Sequence, residues 1–174
     1  DAQGGMKKSA DWYRRNVRSI ADNVTARRLM NQGKLIGRPS QGRLNMFFYD
    51  PKTKARLPYF DVFPLVLPLE PIKGGFMGLN FHYLPYLLRF KLLERLQKFA
   101  DGGMKSSTKI IASYDDVKRI NLVKPTIKKY LYSYARSQFL RIDFDEAALA
   151  AYLPVQQFRK AGTTKVWSDS RGMI

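Results

Sequence analysis

The chain contains no cysteine and one histidine, His82. The first absence excludes disulfides, thiolate metal sites and cysteine nucleophiles, and it suits a reducing compartment. The second excludes an imidazole cluster, so any proton relay through histidine would rest on a single ring. Acid is also scarce: 14 Asp and Glu stand against 31 Lys and Arg in 174 residues, a net charge of +17. Long apolar runs are missing. Val62 to Leu69 is interrupted by Pro64 and Pro68 and falls far short of the roughly 20 residues that span a bilayer, so no membrane insertion is expected. Asp1-Ala2-Gln3-Gly4-Gly5 lacks the basic-then-apolar order of a signal peptide. The start on Asp rather than Met leads us to expect residues upstream.

What is present is an excess of positive charge on a chain able to fold. Hydrophobic residues make up 45% and aromatics 13%, enough for a core, so the charge does not signal wholesale disorder. Self-repulsion on this scale calls for an anionic partner, either nucleic acid or an acidic protein surface. Ten basic and three acidic residues precede or include Arg43. Ser9-Ala10-Asp11-Trp12 reads as a helix start, and Trp12, Tyr13, Val17, Ile20, Val24 and Leu29 recur at near-helical spacing. Arg14, Arg15, Arg18, Arg27 and Arg28 fall largely elsewhere on that helix, which should end before Gly33. Gly33 to Gly42, with Lys34 and Arg38, reads as an arm or linker because Gly, Pro and Ser interrupt any period. A boundary follows: residues 1–42 as a basic helix and arm, residues 43–174 as the core domain.

Arg43 to Tyr49 is rich in strand formers, and Asp50-Pro51-Lys52-Thr53-Lys54 is turn chemistry. Tyr59 to Leu69 reads as extended, its prolines suiting an edge or a bend. Gly74-Gly75 supplies a turn, and Phe76 to Tyr83 a third strand. Pro85 can open a helix with Leu88, Leu92, Leu93, Leu96 and Phe99 on one face, stopped by Gly102-Gly103. Ser113 to Asp116 resembles a capping box. Pro125 predicts a further helix, with Ile127, Leu131 and Tyr134 opposing Lys128, Lys129 and Arg136. Leu140, Ile142 and Phe144 alternate as in a strand, Asp145 to Leu153 reads as a short helix, and Val155 to Arg159 as an edge strand. The tail from Gly162 is mostly polar. The fold class expected is α+β: a small curved antiparallel sheet or SH3-like barrel followed by helices, preceded by the basic amphipathic helix and arm.

Catalytic chemistry finds little support in these residues. His82, within Asn80-Phe81-His82-Tyr83, reads as a structural ring hydrogen-bonded inside the sheet. Asp115/Asp116 and Asp143/Asp145/Glu146 are explained by helix starts, although a metal-dependent nuclease would also need converging acids. Gly74 to Gly78 lacks the Lys-Ser/Thr of a phosphate loop and reads as a hairpin turn. The stronger pattern is cations interleaved with rings. Arg43, Phe47, Phe48, Tyr49, Lys52, Lys54, Arg56 and Tyr59 resemble the chemistry of single-strand binders, where bases stack on rings and cations follow phosphate. The alternative reading has alternate rings filling the interior, the role favoured for Phe47, with Tyr49 open to either. Lys128, Lys129 and Arg136 join Arg27, Arg28, Lys34 and Arg38 as a second basic set, read either as solvated helix faces or as partner contacts.

Phe47-Phe48-Tyr49-Asp50-Pro51-Lys52, Leu57 to Val66, Gly75 to Pro85 and Val166-Trp167-Ser168-Asp169-Ser170 together resemble virion-associated structural proteins of large contractile-tailed bacteriophages, marine myovirus-type phages in particular. The resemblance is strong in the middle and loose elsewhere, and it transfers no catalytic or binding residues. It implies a virion protein, present in the host cytoplasm during assembly, that works within a multi-subunit structure. The leading expectation is thus a non-enzymatic component of neck, tail or baseplate that docks on acidic virion proteins through its arm and helical faces. Trp12 would anchor the arm. The alternative is a DNA-binding protein that protects or organises the packaged genome end. A metal-dependent nuclease using Asp143 and Asp145 is the third. No cofactor is expected.

Overall fold

Leucines at 65, 67 and 69 alternate with Val66, Pro68 and Glu70, and that period of two places two surfaces on one strand. A computed structural model, which describes residues 24–102 and 108–174 together with Arg15, makes this strand the middle of the fold. Chain order runs α1 (Ala26–Gln32), β1 (Leu35–Ile36), β2 (Leu44–Met46), β3 (Phe60–Asp61), β4 (Leu65–Ile72) and β5 (Gly75–Asn80). There follow α2 (Tyr86–Leu96), α3 (Tyr114–Val117), β6 (Ile127–Leu131), β7 (Phe139–Ile142), α4 (Ala147–Tyr152), β8 (Phe158–Arg159) and α5 (Thr163–Met173). Six strands pair antiparallel in the order β1-β7-β2-β4-β5-β6, and β3 pairs with β8 apart from them.

The expectation of an α+β fold with an antiparallel sheet holds, but the barrel does not. The sheet is open, with β1 and β6 at opposite ends. Helices cover one face: Leu65, Leu67 and Leu69 join Leu92, Leu93, Leu96, Ala147, Ala150 and Ala151 in the main core. The other face carries a smaller, largely aromatic cluster of Phe47, Tyr49, Val66, Phe76, Tyr130 and Phe139.

Of the prolines expected at an edge or a bend, Pro64 precedes β4, and Pro68 lies within that interior strand beside a bend in its pairing. Pro68 and Pro71 are tolerated because β2 pairs only with Leu65 and Val66, so both lie beyond its end, and the register with β5 shifts between Pro68 and Glu70. The hairpin into β5 turns on Lys73-Gly74, with Gly74 at φ 76°, a left-handed value that favours glycine. At Gly75 a side chain would collide with the Tyr130 carbonyl, so glycine there is what lets β6 approach. The capping box is present in full: Ser113 accepts from the Asp116 N–H, and Asp116 accepts from the Ser113 N–H.

Three expectations are corrected. Residues 127–131 form β6 rather than a helix, because the free edge of β5 offers them a ladder that their helical spacing could not reveal. Within the stretch 33–42, Leu35 and Ile36 pair with Leu140 and Phe139 as an edge strand instead of continuing as linker. The mostly polar tail from Gly162, to which the sequence assigns no element, is helical and buries Val166 and Ser170. The single helix expected from Ser9 to before Gly33 is not continuous: Thr25 is extended and caps a new helix, α1, which does end before Gly33 and sends Ala26 and Met30 into the main core. The expected start at Ser9 lies outside the described residues.

Candidate nucleic-acid interface

The loop after Tyr49 is a run of turn formers whose own residues cannot bury it, so its shape depends on what holds it from outside. Lys160 does this. Its ammonium donates to the carbonyls of Lys54, Ala55 and Leu57 at 2.6, 3.3 and 2.9 Å, and its backbone sits at φ 72°, a strained value that these bonds help maintain. Tyr59 donates to Asp169 of α5 at 3.1 Å. On the loop itself Lys54 reaches Asp50 at 2.9 Å, and Arg136 approaches the same carboxylate at 3.7 Å.

This anchored loop faces β6 across a cavity of about 320 Å³, lined among others by Tyr49, Lys52, Phe60, Tyr83, Lys128, Lys129 and Tyr130. Two basic sets that the sequence kept apart, around residue 50 and around residue 128, therefore meet. Lys52 and Lys129 are exposed at its rim. Lys128 is half-buried, its ammonium 4.0 Å from the centre of the Tyr83 ring, a cation–π distance. Burial pulls its pKa from 10.5 down to about 8, and among the described residues no carboxylate or carbonyl meets it. Tyr49 is buried, its hydroxyl accepting from the Leu131 N–H at 2.8 Å, so it is a wall of the groove rather than an outward platform. Burial raises the Tyr49, Tyr83 and Tyr130 hydroxyls above the usual phenol range, and all three are uncharged at neutral pH.

A run of ring contacts leads from the groove through buried Tyr130 and Phe76 to half-buried Tyr132 and exposed Arg38. Tyr130 stacks on Phe76 at 5.5 Å, Phe76 meets Tyr132 at 5.8 Å, and the Arg38 guanidinium lies 3.8 Å over Tyr132. Lys54, Arg56 and Arg136 are exposed nearby in sequence and loop. The remaining candidates lie elsewhere. Arg27 and Arg28 are exposed on α1, and Lys34 borders a different cavity with Arg141, Asp143 and Glu146. Arg43 is committed inside the protein, since Asp143 holds it at 3.2 Å and also meets Arg141 at 3.3 Å. Arg15 is exposed; Trp12, Arg14 and Arg18 lie outside the described residues. Among the described residues no three His, Asp or Glu side chains come together as a metal-holding group.

Beside the groove lies a network that sequence reasoning missed. Asp61 is buried and its carboxylate accepts from His82 Nδ1 at 2.8 Å, Asn80 Nδ2 at 3.1 Å, and the N–H groups of Phe63 and Gln157 at 3.0 Å each. Burial alone would raise its pKa, but His82 and the other donors outweigh burial and hold it below the ordinary carboxylate value. His82 is pushed down chiefly by burial, against the pull of Asp61, and as a neutral ring it donates its Nδ1–H to the Asp61 carboxylate. Arg89, fully buried, donates to the carbonyls of Leu84 (2.7 Å), Ala151 (3.0 Å) and His82 (3.3 Å) and to Gln156 Oε1 (3.3 Å). Trp167 of α5 donates to the same His82 carbonyl at 2.9 Å. The signal was available: Arg89 shares a helical face with Leu92, Leu93 and Leu96, where only an internally partnered cation can sit.

Residues 2–170 match the model of a family described as phage T4 terminal DNA protecting protein. No curated protein and no solved structure gives a match.

Proposed function

Because the chain belongs to the phage T4 terminal DNA protecting protein family, we propose that it binds a terminus of linear phage DNA and shields it without catalysing a reaction. The family match over nearly the whole chain carries this reading. The net charge of +17 and the groove between the loop after Tyr49 and β6 support it. The family description speaks of DNA ends, not of a neck, tail or baseplate, so the genome-end reading takes precedence over the assembly-scaffold reading. A protein that travels on the end of a packaged genome would still be carried in the particle and present in the infected cell.

On this reading exposed Lys52, Lys54, Arg56, Lys129 and Arg136 follow phosphates, and each contact releases counterions. Protection follows from occupancy: an exonuclease that needs a free end meets one already covered. The nuclease alternative loses ground on its own residues. Asp143 is held by Arg43 and Arg141, Asp116 closes a capping box, and Asp115 pairs with Lys118 at 2.9 Å.

The test is digestion of linear duplex DNA by a processive exonuclease, with closed circular DNA as the binding control. We expect at least a tenfold slower loss of linear DNA with the protein at low salt, with log K falling by about 0.9 per phosphate contact as log salt rises. The double variant K52E/K129E should lose most of this protection. Equal affinity for linear and circular DNA with undiminished digestion would overturn the proposal. Cleavage of DNA by the protein alone, with added magnesium, would install the nuclease reading instead.

A further inference from the structure

Side contacts with a duplex need only an outward row of cations, and the exposed lysines of the loop and β6 supply that. The cavity beneath them is a different kind of feature. Its volume of about 320 Å³ lies at the small end of pockets that enclose a small organic molecule, about 300–1,000 Å³. Its walls include Tyr49, Phe60, Tyr83 and Tyr130, and its charged members are Lys52, Lys128, Lys129 and Asp61. Asp61 is the one acid among them; four donors hold its carboxylate and spread its charge without cancelling it, and the three lysines of the lining outnumber it. Lys128 is the opposite case. It is half-buried and touches a ring face, and none of the described residues gives it an anion. The cavity of comparable size beside Lys34 does not share this character, since Asp143 and Glu146 line it.

We infer that this pocket receives the terminal nucleotide of a DNA strand, its base against the aromatic wall and its terminal phosphomonoester on Lys128. The inference rests on the DNA-end reading and adds what distinguishes an end from the middle. An internal nucleotide is held by phosphodiesters on both sides and cannot enter a one-nucleotide pocket without distorting the duplex. A terminal one is tethered on one side and unstacks at lower cost. Its monoester carries a charge of about −1.5 to −2 near neutral pH, beyond the single charge of a diester. A half-buried ammonium lacking an internal anion among the described residues gains more from that charge than an exposed lysine does. Lys52 and Lys129 at the rim would then follow the next phosphates.

The geometry does not distinguish a 5′-phosphate from a 3′-phosphate, so the experiment has an arm for each. Affinities of the intact protein are measured for blunt linear duplexes ending in 5′-phosphate, in 3′-phosphate or in hydroxyls only, with closed circular DNA alongside. One phosphorylated end should bind about tenfold more tightly than the hydroxyl end. K128M should bring that ratio to near one, whereas K52E and K129E should weaken the phosphorylated and hydroxyl ends alike. Direct occupancy is read on the unmodified protein with deoxyadenosine 5′-monophosphate and 3′-monophosphate as probes. A monophosphate, but not deoxyadenosine, should shift the NMR signals of Lys128 and Tyr130. If hydroxyl and phosphorylated ends bind equally, yet both exceed circular DNA, the terminal-phosphate pocket is refuted and the DNA-end reading stands. If no end exceeds circular DNA, both fail together.

Discussion

Buried Arg89 and half-buried Lys128 are both drawn from water, and their surroundings differ completely. Arg89, inside α2, spends its guanidinium on four acceptors from three separate parts of the chain and lies over the ring of Tyr86 at 4.7 Å. Lys128, on the end strand β6, has one aromatic face and an opening. Burial lowers both, Arg89 to about 10 and Lys128 to about 8. A buried charge that is fully partnered ties the fold together. One left unpartnered at the mouth of a cavity is a binding group awaiting its anion.

The largest effect should come from breaking the internal member. Arg89→Met removes the donor shared by the carbonyls of Leu84, Ala151 and His82; Trp167 still serves the His82 carbonyl, while those of Leu84 and Ala151 lose their side-chain donor. Each buried carbonyl left unsatisfied costs about 1–3 kcal/mol, readable as a fall in the urea midpoint with unchanged slope. DNA affinity of the molecules that remain folded should be unaffected. A loss below about 1 kcal/mol would erase the distinction between the two cations.

Next comes the histidine, which adjoins Arg89 through its carbonyl and the groove through Asp61. Its pKa falls on folding, so below about pH 6.5 the unfolded chain binds the extra proton and the native state does not. Stability is therefore full above that pH and declines as the pH drops towards the folded value. The melting temperature should fall between pH 7.5 and 5.5, and the window belongs to His82 because Asp61, also lowered, gives up its contribution only in stronger acid. Ring NMR on the unmodified protein should show the imidazole taking up its proton at lower pH than an ordinary histidine. A ring that titrates at or above the ordinary value, or a melting temperature indifferent to pH across this range, would contradict the assignment.

How much of this contrast was legible beforehand depended on whether a local signal existed. The capping box at Ser113, the hairpin at Gly74 and the leucine face of α2 are local chemistry, and the sequence reading found them. Placing His82 as a structural ring inside the fold also succeeded. The misread elements are those decided by distant partners. Ile127, Leu131 and Tyr134 are spaced as a helix would space them, and only the free edge of β5 makes residues 127–131 a strand. Likewise α5 buries little beyond Val166 and Ser170; it docks instead through Trp167 on the His82 carbonyl and Asp169 on Tyr59. The groove residues Tyr49, Lys52, Lys128 and Lys129 were all singled out, yet their meeting in one cavity was not, because no periodicity joins residues 49–52 to 128–130. Phe60, Tyr83 and Tyr130, which complete its walls, carried no distinguishing signal of their own.

A smaller effect should separate wall from charge. Tyr49→Phe keeps the ring and its packing against Phe47 and Tyr130 but removes the hydroxyl that accepts from the Leu131 N–H. The expected loss is about 1 kcal/mol in urea unfolding. DNA affinity should drop at most a few-fold, because no cation is touched. A large loss of binding with unchanged stability would mean that the hydroxyl itself contacts the ligand.

The smallest change in stability is expected at Lys128, and it is the most telling. Methionine matches the lysine stem in length and brings no charge, so Lys128→Met relieves a desolvated ammonium without orphaning any acceptor. The variant should be as stable as the parent or more so by about 1 kcal/mol, as replacement of a poorly compensated buried charge by an apolar side chain commonly is. Its affinity for phosphorylated DNA ends should nevertheless fall. That opposition, stability held or gained while binding is lost, is what a ligand-directed cation produces and what Arg89 cannot. Should Lys128→Met unfold as readily as Arg89→Met, the ammonium would be serving the fold after all, and the groove would need another group to hold an anion.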